Sequence, residues 1–134
     1  MEEFTGEFSI CNVVDFDIAD LAFMEHDCLG NAYKVAMITG AQIVEGLLRV
    51  SGSAFSEHAW NKIGDRYFDP TKKFIFETER FRNNLRALGI EDLNCEYVKC
   101  CEYPVGECNK VDDNSISFRY SYNLIKEAAN HQRE

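Results

Sequence analysis

No apolar run in this sequence is long enough to cross a bilayer, and the opening Met1-Glu2-Glu3-Phe4 lacks the basic start and apolar stretch of a secretory leader. Both absences predict a cytoplasmic protein without a membrane partner. Positive charge is also scarce. Fourteen Lys and Arg stand against 23 Asp and Glu, a net charge of −9, so no surface can displace counterions from a phosphate backbone. Nucleic-acid binding is therefore disfavoured as a main function. There is no internal repeat, low-complexity tract or Pro/Gly/Ser-rich linker, which leaves one domain over residues 1–134. A Gly-rich phosphate loop, a metalloprotease His pair and a calcium loop are all missing, and no cofactor or metal is expected.

What remains is a chain with 46% hydrophobic and 13% aromatic residues, sufficient for a packed core. Its six cysteines (11, 28, 95, 100, 101 and 108) would suggest a disulfide framework in a secreted chain; without a leader, reduced thiols are the expectation. Cys95, Cys100, Cys101 and Cys108 are spaced C-x4-C-C-x6-C, which departs from the paired C-x2-C knuckles of a zinc site.

The pattern of apolar residues gives the elements. The stretch to Glu25 is ambiguous: Phe8, Ile10 and Val13 suit a strand, while Ile18, Leu21, Ala22 and Glu25 have helical spacing. Leu29, Ala32, Tyr33, Ala36 and Met37 then form one face of a helix, with Asp27 as N-cap and Gly40 just past its end. Ala41 to Val50 reads as a buried strand interrupted by Gly46. From Phe55, two short strands flank Gly64-Asp65, a dipeptide suited to a tight hairpin.

A second helix is expected from Thr78 to Leu88, with Phe81, Leu85 and Leu88 as its core stripe, Gly89 as its stop, and Arg80, Arg82 and Arg86 on a solvated face. Residues 91–114 look like a long polar loop or an irregular excursion. Ile116, Phe118, Tyr120 and Tyr122 alternate as a strand, and Leu124 to Asn130 closes the chain as a helix. The order predicts an α+β fold with an antiparallel sheet.

Three of these positions can do chemistry together. Cys28 falls in the first turn of its helix, where unsatisfied N–H groups and the macrodipole favour negative charge on sulfur and could hold an oxyanion. If Gly64-Asp65 is a two-residue turn, facing pairs sum to 129, and His58, Trp60, Asp69 and Thr71 share one face. Asp69 is then the diagonal neighbour of His58, close enough to fix its tautomer and leave the other nitrogen for Cys28. A bulge or a three-residue turn would instead put Asp69 on the opposite face. His26, two residues from Cys28, is expected in an exposed loop.

Asp27-Cys28-Leu29-Gly30-Asn31-Ala32, then Glu57-His58-Ala59-Trp60-Asn61, then Tyr67-Phe68-Asp69-Pro70-Thr71, together resemble the core of the transglutaminase-like branch of papain-type cysteine enzymes. The resemblance covers about residues 25 to 75. It implies a Cys-bearing helix packed on an antiparallel sheet, and acyl chemistry at a thiol: peptide or isopeptide hydrolysis, deamidation, or acyl transfer. Cys28 would attack the carbonyl, His58 would shuttle the proton, Asp69 would orient His58, and Trp60 would wall the cleft or pack beneath the triad. A protein or peptide substrate follows. The sequence departs from the family in the polar Glu25-His26-Asp27 just before the nucleophile. The competing expectation is a catalytically inactive interaction module on the same fold, and a third is a small zinc-stabilised protein.

Overall fold

The computed structural model describes residues 9–14, 27–51, 55–72, 78–90, 94–112 and 115–119. The helical spacing around Ile18 to Glu25, His26, the Tyr120 and Tyr122 part of the last strand, and the closing helix at Leu124 to Asn130 lie outside these residues.

Helix α1 (Cys28–Thr39) begins at Asp27, whose side chain accepts a hydrogen bond from Gly30 N at 3.1 Å, and stops at Gly40 in the left-handed region. This cap satisfies one of the otherwise orphaned N–H groups. Asp27→Ala is expected to cost about 1 kcal/mol of stability, measured as a lower urea midpoint with an unchanged slope. The buried face is turned from the expected one. Leu29, Ala32 and Ala36 are inside as anticipated, but Asn31 and Val35 join them, while Met37 is 59% exposed. Val35 packs on Ala41 and Phe68, which pulls the stripe round.

Strands β1 (Ser9–Cys11), β2 (Gln42–Val50), β3 (Ser56–Ile63), β4 (Arg66–Phe68) and β5 (Cys95–Tyr103) form one sheet in the order β1-β5-β2-β3-β4, every pair antiparallel. The fold is α+β, with α1 packed against the sheet. Within the ambiguous opening, Ser9–Cys11 is a strand. Its continuation curls the sheet: Ser9 to Cys11 pair with β5 at one edge, and Val13 bridges Tyr67 of β4 at the other. Val14 N donates to Tyr67 O at 2.9 Å to hold that approach. Val44, Leu48, Trp60 and Tyr97 form one core cluster, which Val13 and Tyr67 flank. Leu29, Ala32, Ala36, Ile43, Ala59 and Tyr103 form another beneath α1. No helix among the described residues is long and apolar enough to cross a membrane.

Two expectations are overturned. The described part of residues 91–114, 94–112, is not a long loop: β5 lies inside the sheet between β1 and β2, and β6 (Asn109–Asp112) pairs with β7 (Ser115–Ser117) after a 3-10 turn at Val105–Glu107. The strand hides from pattern reading because its buried residues, Tyr97, Cys100 and Tyr103, are three apart. A bulge causes this. Glu45 faces Cys101 but the next residue, Gly46, faces Lys99, so Cys100 is the extra residue and the alternation slips. The second correction concerns α2 (Glu79–Ala87). It is capped by Thr78, but none of its residues is buried and Leu88 is 76% exposed, so its Phe81, Leu85, Leu88 stripe is not core among the described residues.

Candidate active site

The β3–β4 hairpin turns at Gly64, with φ of 60°, and pairs Ile63 with Arg66, Lys62 with Tyr67 and Asn61 with Phe68. That is the register expected from a two-residue turn. Asp69 follows directly on β4, and its Oδ2 accepts a hydrogen bond from His58 Nε2 at 2.8 Å. Both side chains are buried, His58 to 4% and Asp69 to 2% exposure. The Cys28 side chain is within hydrogen-bonding reach of the same imidazole. Because Nε2 is engaged by the carboxylate, Nδ1 is the nitrogen left for sulfur. Cys28 is only partly buried and is the member of the group with access to solvent.

Two asparagines dock the cysteine helix. Asn31 Nδ2 donates to Thr71 Oγ1 at 3.0 Å, tying the first turn of α1 to the segment just beyond Asp69. Asn61 Nδ2 donates to Ala32 O at 2.9 Å and to Gln42 O at 3.2 Å, tying α1 to β3 and the start of β2. Both asparagines are fully buried, where such bonds are worth most and unpartnered amides cost most. At the mouth of α1 the cap uses the N–H of Gly30, and the Asp27 carbonyl takes that of Asn31. The N–H groups of Cys28 and Leu29 lie outside this cap.

Trp60 has no exposed surface; its ring stacks at 6.1 Å from the His58 ring with 24° between planes, so it packs beneath the imidazole rather than walling a cleft. Three buried groups, Tyr97, Tyr103 and Glu45, escaped the sequence reading. Tyr97 donates its hydroxyl to Asp69 Oδ2 at 2.6 Å, and Asp69 Oδ1 accepts from Thr71 N at 3.0 Å. The carboxylate is thus held by three donors. Glu45, with no exposed surface, accepts from the Tyr103 hydroxyl and, at 2.8 Å, from Arg119 N. Burial pushes its carboxyl up to about 7 despite those bonds. The tyrosines were missed because they sit on the strand that looked like loop, and Glu45 because an apolar run conceals a single acid.

Burial alone would push the His58 imidazole down, but the charge and hydrogen bond of Asp69, then the Cys28 sulfur, outweigh it and lift the ring to about 10. The folded chain therefore keeps a proton on His58 that the unfolded chain releases near 6.5. The resulting stability is complete below pH 6.5 and is lost as pH rises through about 10. Urea midpoints measured from pH 6 to 11 are expected to show this alkaline decline, reduced in His58→Gln. Lys62 and Lys99, also raised by their partners, keep their share of the decline in that variant.

Cys28, Cys95, Cys100, Cys101 and Cys108 form no disulfide. Among the described residues no cluster of three or more His, Cys, Asp and Glu is arranged to hold a metal ion. Comparison of the chain with protein-family models, with curated proteins and with solved structures finds no match to any of them.

Proposed function

We propose that this protein is a cysteine-dependent acyl hydrolase acting on amide bonds of a protein or peptide, built on a papain- or transglutaminase-like core. The observation that carries the reading is one buried imidazole held by Asp69 on Nε2 and within reach of Cys28. A thiol needs a base to become a nucleophile, and a base needs an orienting group to present the correct nitrogen. Asp69 supplies the second requirement and His58 the first.

The chemistry follows from these atoms. The Cys28 thiolate attacks the carbonyl carbon, and the N–H of Cys28 at the helix mouth faces the developing oxyanion. The His58 imidazolium gives its proton to the leaving amine as the C–N bond breaks, leaving a thioester. Neutral His58 then takes a proton from water, whose oxygen attacks the thioester; the C–S bond breaks and the thiolate–imidazolium pair returns. An amine in place of that water gives acyl transfer. Hydrolysis is favoured because water is always available and no amine site stands out.

Iodoacetamide tests the reading. Cys28 is expected to be alkylated faster than the other five cysteines at pH 7, and Cys28→Ala to abolish the fast phase without changing the fold. Equal labelling of all six thiols would instead favour a non-catalytic interaction module.

A further inference from the structure

We infer that Tyr97 is a positioning residue of this site: its hydroxyl pins Asp69 Oδ2 and draws charge from the oxygen on which His58 rests. The inference rests on the triad reading for its meaning in catalysis, but its geometry stands alone. Tyr97 comes from β5, a different strand from either partner, and is 2% exposed. Its hydroxyl lies 2.6 Å from Asp69 Oδ2, the same oxygen that accepts from His58 Nε2 at 2.8 Å. The Tyr97 ring meets the Trp60 ring edge-on at 5.1 Å and lies 6.2 Å from the His58 ring, so its approach is fixed by packing.

The tyrosine remains a donor. Burial, followed by the neighbouring Asp69 carboxylate, pushes the phenol far above the ordinary tyrosine range, so its proton stays on oxygen at any working pH. Two donors on one carboxylate oxygen compete for its charge. Each weakens the other, because a hydrogen bond stabilises the anion and reduces its pull on a second proton.

This has a use. The imidazolium must release its proton to a leaving amine, and the neutral ring must then accept one from water. A carboxylate bonded to His58 alone would hold the charged ring too firmly for the first of these steps. Among the described residues, the titratable groups facing this network are Cys28 from α1 and Asp69 after β4, which act on His58, together with Cys95 of β5, which is hydrogen-bonded to Tyr97.

The test measures His58 directly by ring-nitrogen NMR as a function of pH, in a Cys28→Ala background that removes the sulfur's contribution. Adding Tyr97→Phe is expected to raise the His58 midpoint by about one pH unit, since a hydrogen bond to a charged group is worth roughly that much. Replacing Tyr97 alone by 3-fluorotyrosine, a stronger donor of the same shape, is expected to lower it. A merely structural role would move neither in opposite directions. A midpoint that is unchanged, or that shifts with the reverse signs, overturns the inference. Should Tyr97→Phe fail to fold, the fluorotyrosine chain decides: a lower midpoint supports the inference and any other result overturns it. Unselective alkylation of Cys28 alongside the expected His58 shifts would sink the enzyme reading and leave the network intact. Selective alkylation with an unresponsive His58 would remove only the role of Tyr97.

Discussion

His58→Gln is expected, on the proposed mechanism, to slow alkylation of Cys28 about tenfold at pH 7, because the variant removes the group that activates the sulfur. Glutamine suits the test better than alanine. Its amide can still donate to Asp69, whereas alanine would take both the charge and the hydrogen bond from a carboxylate of 2% exposure, a defect that costs about 3–5 kcal/mol. On the same proposed mechanism, turnover of an acyl substrate is expected to fall further, by about 100-fold or more, since the variant can neither protonate the leaving group nor activate water. The rates of Cys100 and Cys108, both buried, should not change. Timed alkylation with peptide mapping reads all of these together.

The second large effect concerns the fold. A Cβ added at Gly46 would sit 2.1 Å from Val98 O, 3.0 Å from Trp60 Cη2 and 3.1 Å from Cys100 N. The first and last of these are backbone atoms of the neighbouring strand, and no rotamer change can move them. Gly46 also faces His58 across the β2–β3 ladder, at the bulge that admits Cys100 to β5. Gly46→Ala must push β2 and β5 apart or abandon the bulge. The expected loss is about 3–5 kcal/mol, a large share of the roughly 5–15 kcal/mol available to a domain. Urea unfolding measures it, and the same displacement should disturb the stacking of Trp60 on His58.

How far the sequence could be read depended on the kind of force involved. Local signals were reliable: Asp27 caps α1, Gly40 and Gly89 take left-handed conformations after their helices, and Gly64-Asp65 turns the hairpin in the register that puts Asp69 beside His58. Non-local ones were hidden. The bulge opposite Gly46 erased the alternation of β5, and with it the position of Tyr97. Likewise, Phe81, Leu85 and Leu88 have the spacing of a buried stripe, but periodicity specifies only a face and not what covers it. Asn31 and Asn61 stood inside quoted motifs without a role, because their partners, Thr71 and the Ala32 carbonyl, lie on other elements.

The account stands on sulfur, imidazole and carboxylate acting as one unit, and the most direct measurement is to trap the covalent intermediate. Mixing the protein with an activated acyl ester, quenching at intervals and mapping the products by mass spectrometry should show an acyl thioester on Cys28 that forms and then discharges. In His58→Gln its formation and discharge should both slow. Acyl groups spread evenly over the cysteines, or a Cys28 adduct indifferent to residue 58, would contradict the account.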